Sequence, residues 1–343
     1  MTIKRQFILP LATAFLMAPM TMLTSCGSVF DDLDPCPAGI ELRFVYDHNL
    51  ESANAFPSQV DCLTLYIYDE QGNYVTTRTE TTDVLADENY RMAVDLAPGS
   101  YRAVAYGGIA CDKASFVHTT SAPAAGAKIS DLGMTLSDDH IGNLLHDHFH
   151  GIVDFRVTGD SPAYNTVTLH MKKTTNNVRV LLQNLNGQPL DGNDFEFSII
   201  DDNTVLDQDN TPVHVGNTVY DAWSKGTVST ASVARDGAVT DVTMAYVTMA
   251  YGEISTSRFH TSMADKARLV VYSKKAAREI IDIPLHTYLC FTKSDASNWS
   301  DQEFLDRGSQ WNLTFVLASN NTWHQVVIQT GPWRVRINNI NFD

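Results

Sequence analysis

Past residue 22 the sequence has no second apolar stretch able to cross a bilayer as a helix, which excludes a multi-span helical membrane protein. Basic residues are few: 24 Lys and Arg stand against 40 Asp and Glu, for a net charge of −16. That balance argues against nucleic acid as a partner and against a basic patch on anionic lipid. No Cys-x-x-Cys pair occurs, so the cysteine spacing fits no zinc module. Gly-x-Ser-x-Gly, His-Glu-x-x-His and P-loop motifs are all missing, which leaves no recognisable enzyme chemistry. Strong helical stripes are scarce, and no Lys or Arg lies between Cys26 and Arg43.

What is present starts with an export leader over residues 1–25. Lys4 and Arg5 form a short basic region, Phe7 to Met22 is uncharged and apolar, and Leu23-Thr24-Ser25-Cys26 closes it. The run is short and no stop-transfer pattern follows, so it reads as a secretory signal. A Leu three residues before a Cys, with small residues between, resembles the bacterial lipobox. That resemblance implies lipidation of Cys26, which becomes the mature N-terminus of a lipoprotein held in the cell outer membrane. Each buried methylene contributes about 0.8 kcal/mol, and several acyl chains together hold stably. Losing Lys4 and Arg5 with the leader takes the net charge from −16 to −18. Residues 26–38 read as a lipidated tether, since Asp31, Asp32, Asp34, Pro35 and Pro37 leave little to bury. The same acids look like a surface-export signal.

Four further cysteines lie in what is expected to be an oxidising compartment. Cys36, Cys62 and Cys111 fall in one half of the chain and are the candidates for one disulfide, with the pairing open. Cys290 sits in the apolar run Tyr288-Leu289-Cys290-Phe291 and reads as a buried free thiol.

Strand signals follow in series. Ile40, Leu42, Phe44 and Tyr46 share one face, as do Leu63, Leu65 and Ile67. Both sets alternate with period two, the mark of a half-buried strand. Asp69 to Asn73 reads as a hairpin loop around Gly72. Residues 90–96 and 101–106 read as a hairpin joined by Ala97-Pro98-Gly99-Ser100, whose Pro-Gly pair has type II turn chemistry. A turn-rich break at 159–165 sets a boundary between an N-terminal β-sandwich, 39–163, and a C-terminal one, 164–343. In the second, residues 166–171, 177–183, 195–200, 242–251, 268–272, 279–283, 311–317, 323–328 and 333–340 read as strands. Ser300 and Glu303 have capping-box spacing and start a short accessory helix over 300–306, expected to be an ornament on a loop. The fold class is therefore all-β, with two tandem sandwiches.

A family resemblance runs through these segments. Asp34-Pro35-Cys36-Pro37-Ala38-Gly39-Ile40, Leu42 to Asp47, Val60 to Asp69, Asp87 to Met92, Ala105-Tyr106-Gly107-Gly108 and Leu144-Leu145-His146-Asp147 carry its first half. Lys173 to Val180, Ser255-Thr256-Ser257-Arg258 and Gln302 to Arg307 carry its second. In order and spacing they resemble the FimB-type fimbrial anchor lipoproteins of the Bacteroidales, the minor-fimbrium anchoring subunits, over nearly the whole mature chain. The resemblance implies transthyretin-like sandwiches and a place at the base of a fimbrium. It also implies a stalk subunit as partner, joined by β-strand complementation, in which one subunit's strand fills an open groove in the next. Arg43 lies inside the expected first strand, where a protease reaches it poorly, so that strand and its lipid are expected to stay. Growth would then stop at this subunit while the fimbrium stays tethered. Trp333, Val335 and Ile337 alternate with Arg334 and Arg336 and mark the candidate donor strand, set against an ordinary closing strand of the second sandwich.

Three clusters hold chemistry-bearing side chains. His146, His148 and His150 would share one face of a strand, an arrangement able to hold zinc, but no fourth ligand is evident, so a solvated polar segment is expected. Asp201, Asp202, Asn203, Asp207, Asp209 and Asn210 lack EF-hand spacing and read as a polar hairpin loop. Gly159-Asp160-Ser161-Pro162 echoes a serine-esterase block in a β-rich context that does not suit it. No cofactor or metal is expected. The alternative to an anchor is a surface lipoprotein that binds glycan or host protein through an exposed aromatic face.

Overall fold

The computed structural model describes residues 39–158, 164–234, 243–294, 298–320, 322–331 and 333–338. The leader, the tether and Cys26 and Cys36 lie outside these residues, as does the esterase-like block at 159–162. The architecture is mostly β.

The first half builds β1 (Gly39–Val45), β2 (Leu63–Asp69), β3 (Tyr74–Glu80), β4 (Met92–Asp95), β5 (Gly99–Gly107), β6 (Phe116–His118), β7 (Met134–Leu136), β8 (Phe149–Val157) and β9 (Asn165–Lys173). A one-turn helix, α1 (Phe56–Gln59), sits between β1 and β2. Seven of these strands run in the order β3-β2-β5-β8-β9-β1-β4. β8 and β9 pair only from Phe149 to Gly151 against Lys173 to Met171, so the sheet turns a corner there. One wall is then β3-β2-β5-β8, the other β9-β1-β4. Ile40, Leu42 and Phe44 meet Leu63, Leu65, Ile67, Ala103 and Ala105 in the core between the walls.

The expected hairpin at Pro98-Gly99 does not form. β4 pairs with β1, whereas β5 pairs with β2 and β8, so this turn carries the chain from one wall to the other. Gly99 does not take the left-handed backbone that a type II turn requires. Strand signals along the chain cannot say which neighbour a strand will choose.

The second half builds β10 (Asn176–Asn184), β11 (Phe195–Asp201), β12 (Val205–Leu206), β13 (Thr218–Asp221), β14 (Ser224–Ala234), β15 (Thr243–Thr256), β16 (Arg268–Ser273), β17 (Arg278–Pro284), β18 (Gln310–Leu317), β19 (Trp323–Thr330) and β20 (Trp333–Asn338). The helices α2 (Leu285–Cys290) and α3 (Asp301–Arg307) lie between β17 and β18. A six-stranded sheet, β14-β15-β10-β18-β19-β20, faces a four-stranded one, β13-β11-β16-β17. Val178, Val180, Leu182, Phe197, Ile199, Leu269, Val271, Leu313 and Phe315 belong to the core of this half.

The halves interlock. β9, which follows the expected boundary at 163/164, pairs with β1 and β8 in the first sheet. β12 of the second half pairs with β7 of the first, making a three-stranded sheet β12-β7-β6. Tyr66, Tyr68, Val104 and Tyr106, on the outer face of β2 and β5, join the core of the second half. β2 is thus buried on both faces, not half-buried as its alternation implied. The described residues form one compact unit.

Candidate functional site

The first strand is seated between two neighbours. β1 runs parallel to β9 from Ile40 to Val45 and antiparallel to β4 from Gly39 to Leu42. Ile40 and Leu42 are fully buried, and Phe44 is nearly so. β4 has no other strand partner among the described residues, so β1 holds this wall together. Gly39 allows the close approach: a Cβ there would sit 2.2 Å from the Val94 carbonyl oxygen. Arg43 is half-buried within the strand.

At the other end, β20 is an edge strand. Trp333 to Asn338 pair antiparallel with Thr330 to Gln325 of β19. Val335 and Ile337 pack half-buried against the core, while Arg334 and Arg336 are exposed. The alternation read from the sequence is therefore present, and its apolar side rests on the chain's own second sandwich. Among the described residues β20 is held by one neighbouring strand.

Between these two ends lies a buried polar junction. Arg258 donates from Nε to Asp306 Oδ1 at 2.8 Å and from Nη2 to Oδ2 at 2.7 Å. Its Nη1 donates to the Asn210 carbonyl. Lys172 of β9 reaches the same carboxylate at 3.1 Å, and Gln302 donates to it at 2.9 Å. Burial pushes the Asp306 carboxyl up, but Arg258, Lys172 and Gln302 outweigh it and hold the group below the usual carboxylate range. The next residue, Arg307, donates to the carbonyls of Asp47 and Asn49, just beyond β1, at 3.4 and 3.1 Å. α3 thus clamps the second half to both β9 and the exit of β1. It is not the loop ornament expected, although its cap is as read: Ser300 Oγ accepts from the Glu303 amide at 3.1 Å. Phe304 and Leu305 are buried beneath it.

Other family-like segments converge on the same seam. Asn176 donates to the Ser257 carbonyl at 3.2 Å and accepts from the Trp311 indole at 3.0 Å. Lys173 reaches Asp147 at 2.6 Å, and the Leu145 amide donates to Ser255 Oγ at 3.3 Å. Segments far apart in the sequence share one role, holding the two sandwiches in register.

The histidine cluster is not solvated, contrary to expectation. His148 and His150 are buried. His148 stacks on Phe116, its Nδ1 bonds Thr174 Oγ1, and both rings lie against Tyr106. His150 Nε2 bonds the Gln208 carbonyl at 3.1 Å, a further tie between halves. Burial lowers both pKa values to about 3, so both rings are neutral near pH 7. His146 instead pairs with Asp61 at 3.1 Å. The three imidazoles therefore do not gather as ligands.

Asp201, Asp202 and Asn203 are buried, against the expectation of a hairpin loop, whereas Asp207 to Asn210 do make the expected turn, the Asn210 amide donating to the Asp207 carbonyl and the Asp207 amide to the Thr211 carbonyl, each at 2.9 Å. Asn203 donates to Asp201 and to the Arg258 carbonyl at 3.0 Å and accepts from Tyr220 at 2.6 Å. Asp202 accepts from the amides of Val215 and Gly216 at 2.9 Å, with His214 and Lys266 alongside. Its partners are protein donors throughout.

Of the three disulfide candidates, Cys62 and Cys111 are joined, with Cα atoms 5.7 Å apart. The bond ties the start of β2 to the loop after β5, and closing such a loop contributes about 4 kcal/mol in the chain-entropy account. Cys290 is free and half-buried at the end of α2, its pKa pushed up to about 11 by burial. Trp223, Tyr272 and Phe291 are exposed, but no ring contact joins them into a row among the described residues. No helix among those residues is long and apolar enough to cross a membrane.

A family model described as the fimbrillin-A associated anchor proteins Mfa1 and Mfa2 matches residues 33–339. A solved Bacteroides thetaiotaomicron structure, described as an adhesin, is 42% identical with a TM-score of 0.79, covering 90% of this chain and 100% of that one. A second from the same species, described as polysaccharide-binding, is 28% identical with a TM-score of 0.72, covering 88% and 98%. The fimbrial anchor protein Mfa2 of Porphyromonas gingivalis has the same fold at 16% identity, with a TM-score of 0.62 and 89% and 100% covered. No curated protein matches the chain.

Proposed function

The chain belongs to the family of fimbrillin-A associated anchor proteins, and on that premise we propose that it fastens a fimbrium to the outer membrane through a lipid on Cys26 and limits the fimbrium's length by keeping its own first strand. The observation that carries this reading is the seat of β1. Removing it would strip β4 of its partner and uncover Ile40, Leu42 and Phe44 in the core. A subunit that cannot spare β1 offers no open groove for a further strand, so growth ends at it.

Two sandwiches, 39–173 and 176–338, lie between the lipid and the polymer, and the α3 junction locks them together. Pull on the tether is carried from β1 through Arg307 and Asp306 to the second sandwich. The grip on the stalk subunit is by β-strand complementation, with β20 as donor. Among the described residues β20 has a single strand neighbour, so it can leave β19 without breaking the interior of the sheet. The protein's part is structural, at the surface-exposed base of the fimbrium.

Deleting the gene and imaging cells and medium by electron microscopy tests the reading. Long fimbriae shed into the medium are expected, while fimbriae of unchanged length and attachment would remove it. A chain truncated after Gly331 is expected to reach the membrane with its first sandwich folded, yet to hold no fimbriae. Full attachment by that truncated chain would rule out β20 as the donor.

A further inference from the structure

Asp61, Cys111 and His146 come together on the surface of the first sandwich. Asp61 Oδ1 lies 3.1 Å from His146 Nε2 and 3.1 Å from Cys111 Sγ. One ligand atom from each falls within 4.8 Å of the others. The sulfur of Cys62 is bonded to that of Cys111 and so adjoins this group without being one of its three members. Donors around a tetrahedral zinc ion lie about 3.3–3.8 Å apart, which follows from Zn–S and Zn–N distances of about 2.3 and 2.0 Å. Three groups are thus nearly placed for zinc while the sulfurs are still joined, and the Cys62 sulfur supplies the fourth once it is free to turn.

We propose that reduction of the Cys62–Cys111 disulfide by a low-molecular-weight thiol converts this cluster into a zinc site with Cys62, Cys111, Asp61 and His146 as ligands. Two equivalents of thiol give the two cysteine thiols and one small-molecule disulfide. Zinc then displaces a proton from each thiol and binds the thiolates, the neutral imidazole and the carboxylate. Two sulfurs select zinc over calcium or magnesium, which take oxygen donors. Access is open: Asp61 and His146 line a cavity of about 590 Å³ together with Asp147 and Asp83. The His146 backbone is fixed by its amide, which donates to Ser115 Oγ at 2.9 Å.

The consequence is a crosslink that outlasts a reducing environment. The loop after β5 stays tied to β2, by sulfur–sulfur in one state and by sulfur–zinc–sulfur in the other.

The test uses the whole protein, reduced with dithiothreitol, desalted without air and titrated with zinc chloride. Bound metal is read by mass spectrometry of the element. About one zinc per reduced chain is expected, and none for the oxidised chain. Asp61→Asn and His146→Gln, on a half-exposed surface, should each weaken binding at least about tenfold without changing the number of free thiols. Three results would overturn the proposal. These are no zinc on the reduced chain, equal zinc on the oxidised chain, or uptake indifferent to both substitutions, which would place the metal on other thiols.

Discussion

Shifting the pH from 7 to 5 is expected to cost this protein about 4 kcal/mol of stability, on the order of what an ordinary domain possesses in total. The buried pair His148 and His150 supplies that much, and His48, whose pKa burial lowers to about 4, adds to it in the same direction. Burial lowers the pKa of each ring of the pair to about 3, whereas a histidine in the unfolded chain titrates near 6.5. Below that value the unfolded chain takes up protons that the folded chain refuses. Stability therefore falls as the pH drops from about 6.5 toward 3, by about 1.4 kcal/mol per pH unit for each ring. Arg258 and Lys172 lie near His150 and oppose its protonation, and the Gln208 carbonyl at its Nε2 offsets burial only in part. Asp306 adds to the loss only lower down, because its depressed pKa gives stability that disappears as the pH falls below about 3.8. Urea unfolding at pH 7, 6 and 5 samples the histidine window alone, above the range in which Asp306 contributes. A slope of at least about two protons between pH 6 and 5 is expected, and an unchanged midpoint would mean that the rings are accessible in the folded protein.

Replacing Arg258 with alanine should cost about 3–5 kcal/mol, because it leaves the Asp306 carboxylate buried with only Lys172 and Gln302 beside it. It also orphans the Asn210 carbonyl. Exchanging both charges together, Arg258→Met with Asp306→Leu, removes the stranded charge and should cost much less than the single change. Chemical denaturation of the single and double variants reads the difference. If the single substitution costs under about 1 kcal/mol, the junction does not hold the halves together as described.

Much of the β architecture could be read from alternation alone. Ile40, Leu42 and Phe44 announce β1, and Leu63, Leu65 and Ile67 announce β2, because a wall that faces a core repeats every second residue. β3 and β14 gave no such signal. Their Thr- and Ser-rich residues, as in Tyr74-Val75-Thr76-Thr77-Arg78, serve edges that have little apolar core to face. β8 was not read as a strand at all, because His148 and His150 at its start look like surface residues until Phe116 and Tyr106 enclose them. The α3 junction was beyond reach for a different reason. Asp306 becomes a structural anion only because Arg258 and Lys172 arrive from distant strands, and no local pattern encodes that meeting. The resemblance had already singled out Ser255 to Arg258 and Gln302 to Arg307, but without the contact between them. The cysteine pairing was similarly open until β2 and β5 were placed side by side.

The central claim concerns the amino terminus, and mass spectrometry of the protein taken from outer membranes tests it most directly. The account predicts a mature chain that begins at an acylated Cys26 and continues without a break through Gly39 to Val45. A chain that carries no lipid and begins beyond Phe44 would contradict it.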